Sequence, residues 1–160
     1  MPASSASLQI SDAIRAHILE SVGTILVGTR DVTLAPEITR GWGPTILHDG
    51  HTMDLCVSLS DGAKTLENLR ETDDIAVTFH HTSTYKTVQL KGQFLESGEL
   101  TPRDWEAVDR QRNTLIEQTK VYTHSPGIVT RIFAADLVRI RFLVQQAFEQ
   151  TPGPRAGSTL

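Results

Sequence analysis

The stretch from Ser58 to Gly92 constrains the fold more than any other part of the sequence. It predicts the end of one strand, a short helix that begins at Asp61, an almost wholly apolar strand at residues 75–79, and a further strand. In that further strand apolar and polar residues alternate, which is typical of a strand with one buried and one solvated face. The order also puts a lysine in the first turn of a helix that lies between two strands.

The first half of the chain predicts a helix and several strands. Ser11 is expected to cap the helix, and strands are expected at residues 24–29 and 37–42. Asp49-Gly50 lies between two apolar runs, residues 45–47 and 53–57. This arrangement predicts a tight two-residue hairpin whose central residues have positive φ.

The second half predicts one more helix and a last strand. Thr101 is followed by Pro102 and, three positions after the cap, by Asp104, a typical helix start. Trp105 and Val108 are expected on the inner face of this helix, with a last strand at residues 137–148. The sequence therefore predicts a mainly β (α+β) fold, a six- to seven-stranded antiparallel barrel with short flanking helices.

One domain accounts for the whole chain of 160 residues. Residues 1–9 are rich in serine and alanine and are expected to be disordered. Residues 10–150 form the predicted barrel domain, and residues 151–160 form a C-terminal tail rich in proline and glycine.

Composition favours a cytoplasmic protein that does not bind nucleic acid or membranes. The net charge is −4, whereas phosphate backbones select clustered lysine and arginine. No run approaches the roughly 20 apolar residues that span a bilayer, and the amino end does not resemble a signal peptide. Cys56 is the only cysteine, which suits a reducing compartment.

Hydrolase and metal chemistry have little support in the sequence. No G-x-S-x-G or G-x-x-x-x-G-K motif is present. His80 and His81 are adjacent, so on a strand they point to opposite faces and cannot bind one metal together. His48 and His51 flank the predicted turn without a third ligand nearby, so no metal site is predicted.

The position of Lys64 has two interpretations. It lies in the first turn of the predicted helix, where free N–H groups stabilise an anion and a lysine is otherwise slightly unfavourable. Ser58 and Ser60 add hydroxyl donors just before it. In the first interpretation, Lys64 binds the phosphate of a ligand. In the second, it is a solvated lysine on an exposed turn.

A polar stripe on the predicted strand after Tyr85 also has two readings. In the first interpretation, Thr87, Gln89 and Lys91 form the solvent-exposed face of a strand. In the second, they form a surface that binds a flat polar heterocycle or a second subunit. Arg40, beside Trp42 on an earlier strand, adds charge or stacking to such a surface, or simply extends into solvent.

Four segments resemble the pyridoxamine 5′-phosphate oxidase-like family, the FMN-binding split β-barrels. They are residues 27–31, residues 38–42, the strand–lysine–helix–strand segment at residues 57–79, and the strand at residues 86–92 that ends in glycine. The resemblance extends over roughly residues 8–150.

The resemblance implies a homodimer that binds FMN at the subunit interface. By position, Lys64 would hold the phosphate with Ser58 beside it, Thr39 and Arg40 would lie near the isoalloxazine ring or ribityl chain, and Thr87 would line the same cleft. The flavin would then support an oxidoreductase that acts on an unidentified small substrate. The resemblance does not identify a catalytic residue.

The chain departs from the family pattern at several positions, and these keep alternatives open. Ala63 stands where the family often has a basic residue, and Asp61 adds a negative charge. The alternatives are a flavin-binding or other anionic-ligand-binding module without turnover, and an F420-dependent reductase. Four lysines in an acidic chain give F420 little support.

Overall fold

Six antiparallel strands close into a barrel in the computed structural model, which describes residues 6–123 and 125–160. Around the barrel the order is β1, β2, β3, β6, β5, β4, and β4 then pairs with β1. The strands are β1 Thr24–Arg30, β2 Pro36–Ile46, β3 Thr52–Ser58, β4 Asp74–His80, β5 Thr87–Gly98 and β6 Leu137–Glu149. The predicted mainly β barrel is therefore confirmed, with six strands.

The helices lie at the margins of the barrel, as predicted. They are α1 Asp12–Ala16, continued by a π-helical turn at His17–Ser21, then α2 Ala63–Thr72, α3 Pro102–Thr119 and α4 Pro126–Thr130. The predicted caps are confirmed, because Ser11 Oγ accepts from the N–H of Ile14, and Thr101 and Asp104 form a reciprocal capping box.

Two helix predictions were wrong in detail. The second helix begins at Ala63 rather than Asp61, because residues 59–62 form a turn in which the N–H of Gly62 donates to Ser58 O at 2.9 Å. Trp105 is 41% exposed instead of facing inward. The buried face of α3 is formed by Val108, Leu115 and neighbouring residues, and Trp105 lies outside that stripe.

The predicted hairpin at Asp49-Gly50 is a longer turn. Gly50 has the expected positive φ of 74°, but Asp49 does not. Strand pairing ends where the N–H of Leu47 donates to Thr52 O, and the Asp49 carboxylate accepts from the N–H groups of His51 and Thr52 at 2.9 and 2.8 Å. The aspartate thus organises the turn through its side chain, as Asx turns do. The runs predicted at 37–42 and 45–47 form one strand, β2, with a bulge between Trp42 and Thr45.

Two apolar clusters stabilise the fold. The larger one fills the barrel with side chains such as Phe79, Leu90 and Phe142. The smaller one lies between α3 and the outer face of β2 and β3, and contains Trp42 and Cys56. Burial raises the pKa of the Cys56 thiol to about 12, so it behaves as a core residue.

The two ends of the chain lie against the barrel where they are described. Residues 1–5, within the segment predicted to be disordered, lie outside the described residues. The N–H of Leu8 donates to Val144 O at 2.8 Å, and Thr159 forms an isolated β-bridge with Phe148. Among the described residues, no helix combines the length and apolar character needed to cross a membrane.

Candidate functional site

A groove of about 410 Å³ opens on the outside of the barrel. Its walls come from β2, β1, β4, β5 and β6, which follow one another around the barrel. This size lies within the range of about 300–1,000 Å³ that is usual for small-molecule sites.

The floor of the groove is built from small residues. Gly28 of β1 pairs with Ile38 of β2 on one side and with Ala76 of β4 on the other. The next residues along these strands, such as Val27 and Val77, are fully buried in the barrel, so the side chains of Ile38 and Ala76 project outward. A Cβ built on Gly28 would meet only Ala76 O, at 3.6 Å. The missing side chain at Gly28 therefore leaves open space.

Charged and polar side chains surround this floor. Arg30 and Asp74 form an ion pair at one end of the groove. Lys91 of β5 stands 5.0 Å from the centre of the Phe148 ring, and Gln146 lies beside it on β6. Arg30 and Asp74 are 40% and 57% exposed, and an ion pair this exposed can exchange partners at little cost. The groove thus combines an open floor of small residues with charged side chains of both signs.

Ser58, one of the predicted phosphate ligands, already has an anionic partner within the chain. Its hydroxyl donates to Asp136 Oδ1 at 2.8 Å, and Ser60 donates to Asp136 Oδ2 from its N–H at 2.9 Å and from its hydroxyl at 2.6 Å. Hydrogen bonds from Ser60 and Ser58 lower the pKa of Asp136 to about 2. These donors are satisfied by a carboxylate, and a phosphate would have to displace it.

Lys64 lies in the first turn of α2, as predicted, and points to solvent. Its Nζ is 3.0 Å from Glu67 Oε2, and this hydrogen bond raises the pKa of the lysine. Its charge also acts on Asp31, the residue that follows Arg30. Lys64 therefore lies toward the end of the barrel that carries the β1–β2 turn, but it is not among the residues that line the groove. Its role toward a phosphate stays a prediction.

Thr39 and Arg40 occupy opposite faces of β2. Thr39 is buried, and its Cγ2 lies 3.6 Å from the position of a Cβ built on Gly62, next to the start of α2. Arg40 is exposed and pairs with Leu26 on the outer face of β1. Thr39 and Ser58 thus lie with Lys64 around one turn, whereas Arg40 is on the outside of the barrel.

Thr87 lies at the other end of the barrel. It pairs with His80, which pairs with Thr24 at the start of β1. Arg30 ends the same strand, about 20 Å away at a rise of about 3.3 Å per residue. The Thr87 hydroxyl donates to Tyr85 O at 2.8 Å, and His80 Nδ1 lies 2.8 Å from Thr87 Oγ1. Within one chain, Thr87 does not share a site with Lys64.

Sequence reasoning missed the floor of the groove. Gly28 and Ala76 received no role, although a glycine inside a strand often marks a place where a ligand or another backbone comes close. Lys91 belonged to the predicted polar stripe, and the structure places it at the groove. The signal at Gly28 was available in the sequence, but only the pairing of β1 with β4 shows what faces it.

Comparisons with known proteins add the fold family. No protein-family model and no curated protein matches the sequence. Among solved structures, the chain is similar to the HupZ protein of Group A Streptococcus, with 17% identity, 92% of this chain and 99% of that chain covered, and a TM-score of 0.55. It is also similar to an F420 reductase, with 12% identity, 82% and 94% covered, and a TM-score of 0.54.

A third similar structure is a candidate pyridoxamine 5′-phosphate oxidase from Lactobacillus delbrueckii. The identity is 10%, 88% of this chain and 93% of that chain are covered, and the TM-score is 0.54. At such identities the likeness concerns the fold, and the residues of a site do not follow from it. The chain has the split-barrel fold of the pyridoxamine 5′-phosphate oxidase-like proteins.

Proposed function

We propose that the protein binds FMN in the groove on the outer face of the barrel and acts as an oxidoreductase on a small substrate. The observation that carries this proposal is the open floor at Gly28 and Ala76, where no side chain occupies the space that a flat ring would take. The isoalloxazine ring would supply two-electron chemistry when bound, as flavins do.

The groove lining carries two cations, Lys91 and Arg30, and two carboxylates, Glu37 and Asp74. Lys91 and Arg30 are the groups in the lining that would meet an anionic ligand, and Lys64, outside the lining, lies toward the Arg30 end of the barrel. In this proposal Lys64 meets the phosphate, because the donors of Ser58 and Ser60 are engaged by Asp136. An FMN-binding protein from Syntrophomonas wolfei supports the choice of ligand, with 14% identity, 84% of this chain and 81% of that chain covered, and a TM-score of 0.52.

The proposal includes a homodimer with the groove at its interface. Four large apolar side chains are exposed in the groove, on the outer face of β1, or in the adjoining β1–β2 turn. They are Leu26, Val32, Leu34 and Ile38, exposed by 37%, 69%, 68% and 65%. A cluster of this kind is typical of an interaction surface. Light scattering at micromolar concentration should give a dimer, and Ile38→Glu should give a folded monomer. A monomeric wild-type protein would remove the second wall of the proposed site.

The ligand position can be tested by filling the floor. Gly28→Val places a side chain in the open space and suits a strand, so it should fold normally. Followed by flavin fluorescence, FMN should bind wild type saturably and bind this variant at least about tenfold more weakly, a loss of about 1.4 kcal/mol. Thr24→Val, on the same face of β1 but outside the groove, is the matched control. Equal affinity of Gly28→Val and wild type would put the ligand elsewhere.

The second candidate function is ligand binding without turnover. Its support is that the described residues of the groove lining include no histidine, cysteine or tyrosine, which leaves Glu37, Asp74 and Lys91 as the groups there that can move a proton. Oxidation of a reduced nicotinamide by the FMN-loaded protein would favour the oxidoreductase. Tight FMN that no nicotinamide reduces would favour the binding module, and preferential retention of F420 would favour the deazaflavin alternative.

A further inference from the structure

The outward residues of the groove form one row that crosses five neighbouring strands. In order around the barrel they are Ile38, Gly28, Ala76, Lys91 and Gln146, and each pairs directly with the next. Neighbouring strands lie about 4.8 Å apart, so the backbones at Ile38 and Lys91 are separated by about 14 Å along the sheet. Between them, Gly28 and Ala76 carry no side chain larger than a methyl group. The row therefore forms a depression with a wall at each end.

A cation stands at the wall on β5. Leu90 and Ala147, which adjoin Lys91 and Gln146 along their strands, are fully buried, so Lys91 and Gln146 point outward. Lys91 Nζ is 5.0 Å from the centre of the Phe148 ring, and a cation–π contact of this kind restrains the position of the ammonium group. The Gln146 amide adds a hydrogen-bond donor and an acceptor beside it. This end of the depression can therefore bind carbonyl oxygens and negative charge.

The wall on β2 has the opposite character. Ile38 is apolar and 65% exposed, and Glu37, a carboxylate of the groove lining, directly precedes it. The Arg30–Asp74 ion pair lies two positions further along β1 and β4, at the side of the depression rather than at an end. The two ends of the depression thus differ in charge. The depression can therefore orient a ring system that is apolar at one end and polar at the other.

We propose that Lys91 orients the isoalloxazine ring in this depression and stabilises its reduced form, an inference that rests on the proposed binding of FMN in the groove. The dimethylbenzene end of the ring packs on Ile38, and the pyrimidine end, with its two carbonyl groups, meets Lys91 and Gln146. Reduction adds two electrons from a reductant and one proton from solvent, which leaves one negative charge at the pyrimidine end. In this orientation the charge lies beside the ammonium group of Lys91, whereas the reverse orientation would place it beside Glu37. Lys91 therefore binds reduced FMN more tightly than oxidised FMN and raises the midpoint potential of the bound flavin.

The midpoint potential of bound FMN tests this role of Lys91. It is measured by titration of the FMN-loaded protein with dithionite in the presence of a reference dye. Lys91→Met keeps an unbranched side chain that can pack on the Phe148 ring, and it removes the charge. The potential of this variant should be lower than that of wild type by about 30 mV or more, the equivalent of a tenfold loss in the preference for reduced over oxidised FMN. Lys91→Arg keeps the charge and should stay closer to the wild-type potential.

Lys120→Met is the matched control, because it removes a lysine charge from α3, outside the groove lining, and should leave the potential unchanged. Equal potentials in wild type and Lys91→Met, with FMN bound to both, would overturn the role of Lys91 and leave the proposed function intact. If Lys91→Met weakens oxidised and reduced FMN equally, Lys91 meets the phosphate rather than the ring, which also overturns this role. Absence of saturable FMN binding to wild type would contradict the proposed function itself, and this inference with it.

Discussion

Two regions present polar groups: the turn that precedes α2, and the groove on the outer face. They differ in whether these groups already have hydrogen-bond partners within the chain. At the turn, the Asp136 carboxylate accepts hydrogen bonds from Ser58 and Ser60, all within 2.9 Å. At the groove, the floor beside Gly28 is open, and Lys91 Nζ stands 5.0 Å from the centre of the Phe148 ring. Residue types alone favoured the turn as a binding site. The contacts favour the groove, because a ligand there meets an open floor and an exposed ion pair, and does not have to displace the Asp136 carboxylate.

Separate substitutions of the two glycines that line the groove, Gly28 and Gly92, test most directly whether its floor is open. A Cβ on Gly92 would collide with the backbone carbonyl oxygen of Leu143, whereas one on Gly28 meets open space. Gly92→Ala should therefore lose about 3 kcal/mol or more of unfolding free energy. Gly28→Val should stay within about 1 kcal/mol of wild type. Urea unfolding measures both. Similar losses in the two variants would mean that the floor at Gly28 is structural and not an open site.

A second prediction distinguishes the role of Lys64 in binding the FMN phosphate from that of Ser58. Lys64→Ala should weaken FMN about tenfold, because a charge-assisted contact with the phosphate is lost. Ser58→Ala should leave FMN affinity nearly unchanged, because its hydroxyl is committed to Asp136. Fluorescence titration of both variants provides the measurement. If Ser58→Ala causes the larger loss, the phosphate has displaced Asp136 and binds in the turn itself.

The smallest expected effect concerns pH. The pKa of Asp136 in the folded state is about 2, below the ordinary value of about 3.9 for an unfolded chain. Its contribution to stability is therefore complete above pH 4 or so and is lost as the pH falls through about 2. Asp136→Asn should be less stable than wild type at pH 6, and the difference should shrink toward pH 2. A difference that is the same at both pH values would show that the charge of Asp136 does not matter.

Sequence reasoning succeeded where a feature depends on neighbours along the chain. The caps at Ser11 and Thr101, the positive φ of Gly50 and the alternation in β5 are local, and all are present in the structure. It failed at Trp105, which is apolar but lies outside the buried stripe of α3 that contains Val108 and Leu115. Which face of α3 is buried depends on how the helix packs on the barrel.

The amino-acid sequence by itself determined that this is a mainly β barrel of six or seven antiparallel strands with marginal helices, because strand alternation and helix caps depend on a few neighbouring residues. Only the tertiary structure decided which polar groups are free. Asp136 reaches Ser58 across 78 residues, and His17 reaches Phe79 across 62. Closure of the barrel brings β6 beside β3 and β4 beside β1, and these residues come into contact as a result. No local sequence pattern predicts which strands pair.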